Sequence, residues 1–440
     1  MGGSGPLGRD ALGTDQPDAV VEVSAVRPVA APPTSSTPVP DPYALERDAW
    51  TVLTAVNGLG PIAFAALLAR FGTGRTVLAA AAEAGGVARL AATPPLAPRA
   101  DSGGRRPIGD AVAVAIADAA GAADRTLARV RDLGLHALTV EEPGYPSRLA
   151  GIEMPPHVLF VQGDPRALVT ERAVAVVGTR RATTMGRTIA GRISMELCAA
   201  GAAVVSGLAF GIDGAAHEAT LRAGGTTVAV IGGGHAVLSP RAHGRLSDAI
   251  VAGGGAVVSE LAPDVEPTHG TFPRRNRIIS GLAEATVVVE APARSGALIT
   301  ASWALEQGRE CFLVPGPLDA PASAGCLAFL REFEHSAHLV AGIPQLIADL
   351  GLAPAGLGGT RDTVAAATLQ GIGPTEASIA GHVVAGRITV DEIVAAAGLP
   401  VATVLAALAM LERRGLVAGV HGRFRPAGTL LGAPPRPRPR

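Results

Sequence analysis

Four turns near the middle of the chain combine glycine, serine and arginine in a way that suits anion binding. Each turn follows a short apolar run and leads into a helical pattern. The turns contain Gly178 and Arg180; Ser206 and Gly207; Arg275, Asn276 and Arg277; and Ser295, Gly296 and Thr300. Guanidinium groups pair with phosphate oxygens through parallel hydrogen bonds, and free N–H groups at helix starts also attract anions. Four such turns exceed what one nucleotide needs, so they favour a strand of nucleic acid with spaced phosphates.

The elements that must position these turns form a regular alternation of apolar runs and helices. Candidate strands lie at residues 174–177, 202–205, 227–231, 256–259, 286–289 and 311–314. Short apolar runs separated by helices are typical of a parallel sheet that is covered on both faces. The sequence therefore predicts an α/β protein with a Rossmann-like, doubly wound, mostly parallel sheet. All four turns are expected at the carboxyl ends of the strands, where such folds bind ligands.

Composition divides the rest of the chain into further segments. We predict a disordered leader at 1–41, an N-terminal helical domain with a Pro/Gly insertion at 42–135, the core at 136–350, a linker at 351–362, a winged-helix domain at 363–427 and a disordered Pro/Arg tail at 428–440. Inside the helical domain, the turn from Val56 to Pro61 is either a helix-hairpin-helix turn that holds a phosphate or a plain tight turn, and we favour the plain turn.

Several chemistries are excluded by composition. All 37 basic residues are arginine, so a P-loop lysine and the lysine amine of Schiff-base or pyridoxal enzymes are missing. The net charge of −1 permits a local basic cleft but not a uniformly basic surface. The three cysteines are scattered without a C-x-x-C pair, which indicates neither disulfides nor a zinc site. With no apolar run of about 18 residues, we expect a cytoplasmic protein without a membrane partner.

A nicotinamide cofactor is also disfavoured. The first turn reads GTRRATTMG rather than G-x-G-x-x-G, and the second strand ends at Ser206 rather than at an acidic residue for a ribose hydroxyl. We therefore predict no cofactor and no metal.

A structural and a catalytic alternative to the binding interpretation both concern charged side chains near the four turns. The arginine cluster could instead form salt bridges with Glu260, Asp264 and Glu290. Asp213 and His217, four residues apart on one helical face, could form an acid/base pair, but we favour Asp213 as a helix cap and His217 as a packed residue. Because no set of nucleophile, base and orienting group is present, we predict a binding protein rather than an enzyme.

The motifs VVGTRRATTMG, SGLAFGID, FPRRNR and SGALIT, in this order, resemble the DNA processing protein A (DprA/Smf) family. The resemblance implies a protein that binds single-stranded DNA, protects it and loads the RecA recombinase onto it in natural transformation. It also implies an N-terminal helical domain, a Rossmann-like core with a basic DNA pocket, a C-terminal winged helix and homodimerisation through the core. Carried onto this chain, the resemblance assigns the pocket to the ten turn residues named above.

The chain departs from the family pattern in two places. Residues 236–243 lack an expected Asp-x-x-Tyr-Pro-x-x-Asn run and with it a base-stacking tyrosine, and residues 327–334 lack an Asn-x-Leu-Ile-x-x-Gly-Ala run. The first change bears on DNA contact and the second on pocket closure or dimerisation. Two other functions stay open: a Rossmann-type nucleotide hydrolase or carrier that uses Ser295–Thr300 and Glu306, and a winged-helix regulator of duplex DNA. The apolar helix VATVLAALAML speaks against the regulator because it offers few groups for reading base edges.

Overall fold

The structure is a computed structural model that describes Met1 and residues 41–94, 108–352, 372–387, 389–420, 423–427 and 430. The predicted leader, Pro/Gly insertion, linker and Pro/Arg tail lie, apart from a few end residues, outside these ranges. Within the described residues the predicted fold class is confirmed: a mixed α/β core carries helices at its N-terminal side and a winged helix follows it in sequence.

One sheet of nine strands forms the centre of the described core. The strands are β1 His136–Thr139, β2 Val158–Gly163, β3 Ala173–Val177, β4 Ala203–Ser206, β5 Thr227–Val230, β6 Ala256–Ser259, β7 Ala285–Val288, β8 Glu310–Leu313 and β9 Ala337–Leu339. Their order is β1-β2-β6-β5-β4-β3-β7-β8-β9. Strands β3 to β9 run parallel, whereas β1 and β2 pair antiparallel at one edge. The strand order reverses between β3 and β7, which is where doubly wound sheets open a ligand crevice.

Fourteen α-helices are described up to residue 349. They are α1 Ala44–Thr54, α2 Pro61–Phe71, α3 Gly74–Ala82, α4 Gly86–Ala91, α5 Asp110–Gly121, α6 Ala123–Asp132, α7 Ser147–Ala150, α8 Thr184–Ala199, α9 Ile212–Arg222, α10 Gly244–Ala252, α11 Thr271–Leu282, α12 Gly296–Glu306, α13 Ala324–Glu332 and α14 Ile343–Asp349.

The sheet is covered on both faces because side chains alternate along each strand. On β3, Val174 and Val176 belong to one apolar cluster together with residues of α8, α9 and α14. Ala175 and Val177 belong to the opposite cluster, which contains residues of α7, α11, α12 and α13. This burial on both sides explains the continuous apolar runs in the sequence. It also fixes α8, α9, α11 and α12 so that each starts beside the end of a strand.

The N-terminal helices share a hydrophobic cluster with the antiparallel edge of the sheet. Trp50, Phe64 and Leu67 of α1 and α2 are buried in one cluster with Val158 and Phe160 of β2. An ion pair between Arg47 on α1 and Glu142 after β1, with 2.5 Å between nitrogen and oxygen, also joins the two parts. The helical segment therefore packs directly on the sheet.

The C-terminal segment forms a separate small cluster. It consists of α15 Pro374–Val384, α16 Val390–Ala397, α17 Val401–Arg413 and the antiparallel strands β10 Val417–Val420 and β11 Arg423–Pro426. Thr389 and Glu392 cap the start of α16 reciprocally. The buried cluster includes Leu430, beyond the predicted domain end at residue 427.

Helix length and side-chain clustering among the described residues bear on membrane spans and metal sites. No single described helix is long and apolar enough to cross a membrane, and the two helix pairs with enough combined length, α2 with α3 and α16 with α17, are bent by 83° and 115°. No three His, Cys, Asp or Glu side chains of the described residues come together as a metal site.

Candidate nucleic-acid interface

An open cavity of about 700 Å³ lies at the carboxyl ends of the central strands. Its wall includes seven of the ten sequence-predicted residues, namely Gly178, Arg180, Arg275, Asn276, Ser295, Gly296 and Thr300. Ser206, Gly207 and Arg277 do not line it. The cavity is also lined by residues that were not among the ten predicted ones, including Thr179, Arg181, His269, Phe272 and Arg294. Most of them adjoin a predicted residue or lie in the same motif, so their position in the sequence could have indicated that they line the cavity.

The turn after β3 is closed by a carboxylate of the protein itself. Glu290, which follows β7, accepts hydrogen bonds from the Thr183 backbone N–H at 2.9 Å and from the Thr183 hydroxyl at 2.5 Å. The Thr183 hydroxyl in turn accepts from the Gly186 N–H and caps α8. A carboxylate at a helix start is stabilised by the helix dipole. The sequence suggested a free anion site at the start of α8, but Glu290 already occupies it.

The turn after β4 is closed in a similar way. The Ser206 hydroxyl is fully buried and donates to the Val176 carbonyl at 2.6 Å, so it cannot also reach a ligand. The Gly207 N–H donates to Asp213 Oδ2 at 3.1 Å. Burial raises the pKa of Asp213, and the neighbouring Arg275 guanidinium opposes that rise. Gly207 and Ser206 therefore support the cavity from below rather than lining it.

Asp213 and His217 serve structure, although not entirely in the predicted way. The N-cap of α9 is Gly211, and Asp213 lies inside the first turn, so Asp213 holds the Gly207 turn instead of capping its own helix. His217 is fully buried with Nδ1 2.7 Å from the Thr227 hydroxyl. Burial lowers the pKa of His217 to about 3. The neutral, enclosed imidazole fits a packed residue rather than a proton-transfer group.

The arginine run at the start of α11 divides between two environments. Arg275 is 5% exposed and donates to the carbonyls of Gly207, at 2.7 Å, and Val230. Burial lowers the pKa of Arg275 to about 10. Arg277 is 1% exposed and forms an ion pair with Glu260 at 2.6 Å, to which Arg274 adds a longer contact at 3.4 Å. The salt-bridge alternative with Glu260 thus accounts for Arg277.

The walls of the cavity are linked between helices α11 and α12. Asn276 on α11 donates its side-chain amide to the Gly296 carbonyl at 3.0 Å. Ser295 caps α12 by accepting from the Ala297 N–H at 3.3 Å, and Thr300 one turn later is 2% exposed. These contacts set the position of the α12 start at the cavity rim.

The exposed cationic groups at the cavity are Arg180, Arg181 and Arg294. The guanidinium carbon of Arg180 lies 5.1 Å from the ring centroid of Phe272 on α11. This cation–π contact holds the guanidinium at the mouth of the cavity while leaving it accessible. An accessible guanidinium beside an aromatic ring offers both a phosphate contact and an apolar face for a base.

Two family models match the chain. "DNA recombination-mediator protein A" covers residues 136–351, and "DprA winged helix domain" covers residues 364–423. The DNA processing protein DprA of Bacillus subtilis (strain 168) is 42% identical over 208 residues, which are 47% of this chain and 70% of that protein. The chain belongs to the DNA processing protein A (DprA/Smf) family.

Further relatives of this DprA/Smf family member agree. Protein Smf of Escherichia coli (strain K12) is 38% identical over 291 residues, which are 66% of this chain and 76% of that protein. The X-ray structure of DNA processing protein A from Streptococcus pneumoniae superimposes with a TM-score of 0.54 at 29% identity and covers 69% of this chain and 97% of that chain. The resemblance drawn from the sequence motifs is confirmed.

Both departures from the DprA/Smf pattern lie in ordered segments. In the first, residues 236–243, His243 ends a short 3-10 helix with Nδ1 2.9 Å from the Leu208 carbonyl oxygen. The second, residues 327–334, continues α13, whose Phe329 packs against Phe333 with 4.5 Å between ring centroids and belongs to the buried cluster on one sheet face. Each segment is thus packed against the core despite its changed sequence.

Proposed function

We propose that this chain binds single-stranded DNA over the cavity at the ends of β3 and β7. The observation that carries the proposal is Arg180, whose accessible guanidinium lies on Phe272 at the mouth of the cavity. Arg181 and Arg294 add positive charge to the same rim. A strand would place phosphates on these guanidinium groups and bases against the ring, a combination that tolerates any sequence. The site residues proposed are the seven lining residues predicted from sequence together with Arg181, Phe272 and Arg294.

We further propose that the bound strand is protected and delivered to a RecA recombinase, in natural transformation or related DNA processing, by a cytoplasmic homodimer. Membership of a family described as recombination-mediator proteins supports this step. Residues at the cavity rim hold the strand through its backbone, so binding of this kind is compatible with transfer to a second protein.

A non-enzymatic role fits the described carboxylates best. Asp213 is the carboxylate that lines the cavity, and its Oδ2 accepts the Gly207 N–H while Arg275 lies beside it. Asp213 is also 5% exposed and holds the Gly207 turn, so its carboxylate serves structure and is poorly placed to activate a water for nucleotide hydrolysis. The competing hydrolase is tested by incubating the protein with mononucleotides. Release of base or phosphate would support hydrolysis and count against the binding role.

The binding proposal is tested by fluorescence anisotropy with labelled single- and double-stranded oligonucleotides across a salt series. Arg180→Ala is expected to weaken binding of single strands about tenfold for every sequence and to make the salt dependence shallower by about one phosphate contact. Arg166→Ala is the matched control, because Arg166 follows the end of β2, which pairs with the start of β6 and so lies at the end of the sheet away from the cavity, and Arg166 pairs with Asp164 at 2.9 Å. Equal affinity of wild type and Arg180→Ala at every salt concentration would refute the proposal.

The delivery step is tested separately by following RecA filament formation on DNA that is already coated with single-strand binding protein. Wild-type protein is expected to shorten the lag before filaments grow, and Arg180→Ala to lose that effect in proportion to its lost affinity. If the wild-type protein binds the DNA but leaves the lag unchanged, the delivery role is refuted and the DNA-binding proposal stands.

A further inference from the structure

The loop after β4 presents an aromatic ring to solvent at the edge of the cavity. Phe210 is 45% exposed, one of nine phenylalanines in a chain whose aromatic content is 3%. Its neighbour Ala209 lines the cavity. A single exposed apolar side chain is common on protein surfaces, so the position of this ring beside the cavity and the way it is held are what single it out.

The backbone around Phe210 is held in an unusual conformation. Leu208 has a φ of 55°, which is rare for a residue with a side chain, and its side chain is completely buried among Ile231 and Ile250. Gly211 has a φ of 82°, and a Cβ there would collide with the Thr179 carbonyl. Strained backbone of this kind persists only where surrounding packing enforces it, and it is concentrated at functional sites. Packing of Leu208 on one side and of Gly211 on the other therefore fixes the backbone position of Phe210.

A second ring supports Phe210 from the side. The His243 ring packs against Phe210 edge-on, with 4.8 Å between centroids and 70° between planes. Edge-to-face pairs of this geometry orient aromatic rings. His243 is itself tied to the loop, because its Nδ1 lies 2.9 Å from the Leu208 carbonyl oxygen. His243 belongs to the segment in which the family's tyrosine is missing, so an aromatic pair of different origin stands in that part of the rim.

Phe210 also lies next to the turn that carries Arg180. A Cβ on Gly211 would approach the backbone of Arg180 as well as that of Thr179, so the two loops are in direct contact. Phe210 and Arg180 therefore lie on neighbouring loops at the same side of the cavity, so one strand could contact both.

We infer that Phe210, braced by His243, is a stacking platform for one nucleobase of single-stranded DNA outside the cavity. The inference rests on the proposed function, since it extends the same strand beyond the phosphate contact at Arg180. Stacking uses the face of the base and leaves its hydrogen-bonding edge free, so the platform adds affinity without reading sequence. Phe210 thus contacts a base of the same strand whose phosphate Arg180 binds.

The test compares Phe210→Ala, Phe210→Leu and Phe210→Trp in the full chain with an oligonucleotide of mixed sequence. Loss of one stacked base is expected to weaken binding roughly 5- to 150-fold in Phe210→Ala. Phe210→Leu keeps an apolar side chain without a π-face and should remain weak, whereas Phe210→Trp should bind at least as tightly as wild type. The slope of affinity against salt should not change in any of the three, because no phosphate contact is removed.

A second readout locates the base directly. An oligonucleotide that carries 2-aminopurine at single positions should be quenched on binding wild type at one position and less quenched on binding Phe210→Leu. Phe210 is 45% exposed, so its replacement should change thermal unfolding little, and comparing the unfolding of each variant with wild type separates a folding defect from lost stacking.

The outcomes distinguish this inference from the proposed function. If Arg180→Ala weakens binding but Phe210→Leu binds like wild type, the platform is refuted and the cavity proposal stands. If neither change affects DNA affinity, the proposed function itself fails. If Phe210→Leu binds DNA normally but no longer supports RecA filament formation, the ring serves a protein contact and the stacking inference is overturned.

Discussion

Arg180 and Arg277 carry the same charge and lie in motifs that look equally suited to DNA, but the fold uses them differently. Arg180 is exposed on Phe272 at the cavity, whereas Arg277 is 1% exposed and paired with Glu260 at 2.6 Å. A buried guanidinium needs its hydrogen bonds to offset lost hydration, and an exposed one keeps them for a ligand. The neighbouring carboxylate, not the residue type, separates the structural Arg277 from Arg180, which we propose binds DNA.

The largest effect is expected on folding stability, when the buried arginine, Arg277, is replaced. Arg277→Ala leaves the Glu260 carboxylate nearly buried with only the longer Arg274 contact, so the free energy of unfolding is expected to fall by about 3–5 kcal/mol. Urea unfolding followed by circular dichroism measures this, with Arg166→Ala as a control within about 0.5 kcal/mol of wild type. An Arg277→Ala protein of normal stability and weakened DNA binding would reverse the assignment of the two arginines.

Low pH should also lower the stability of the folded protein, through its buried histidines. Burial, followed by the charge of Arg277, lowers the pKa of His157 to about 4, and burial lowers that of His217 to about 3. Between the usual histidine pKa and these lowered values, the folded state binds fewer protons than the unfolded state. The stability that the two histidines contribute is therefore fully present above about pH 6.5 and is lost as the pH falls toward 4 and then 3.

Each of these histidines contributes at most about 1.4 kcal/mol of lost stability per pH unit in that range. Urea unfolding at pH 7.5 and pH 5.5 measures the loss. His157→Asn should unfold with a smaller pH dependence than wild type, because one of the histidines that the fold keeps neutral is removed. An identical pH dependence in the variant would show that His157 is not held neutral beside Arg277.

The smallest effect is expected at Glu290, which fills the start of α8. Glu290→Gln removes a charge from the positive end of the helix and should lower the free energy of unfolding by about 0.3–1 kcal/mol. Affinity for single-stranded DNA should stay the same or rise slightly, because a negative charge near the cavity is removed. A marked loss of DNA affinity would mean that Glu290 supports the binding surface more directly than its contact with Thr183 indicates.

The sequence predicted the parallel core closely, because strands buried on both faces must be apolar throughout. The predicted run 174–177, for example, differs from the observed β3 by one residue. The short edge strands β1 and β9 were not predicted, since their exposed residues, such as His136 and His338, break the apolar pattern. Pairing with a neighbouring strand, rather than local composition, makes them strands.

The sequence predicted which motifs meet at the site, but not the partner or the direction of each side chain. Arg180, Ser295 and Gly296 line the cavity as the motif positions suggested, and the structure supports their proposed role. The contact of Glu290 with Thr183 could not be foreseen, because the two residues are 107 positions apart and meet only through the pairing of β3 with β7. Side-chain direction on α11 likewise decides that Asn276 faces the cavity and Arg277 faces Glu260, although the two are adjacent in sequence.

The packing of the N-terminal helices on β2 has a consequence for how the chain can be divided. Val158 and Phe160 are 1% and 0% exposed because α1 and α2 cover them. A fragment starting at residue 136 would show these side chains to water next to an open strand edge, the combination that drives proteins to self-associate. A shorter protein without α1 and α2 would need polar residues in place of Val158 and Phe160. Recombination between related genes should therefore keep the two parts together.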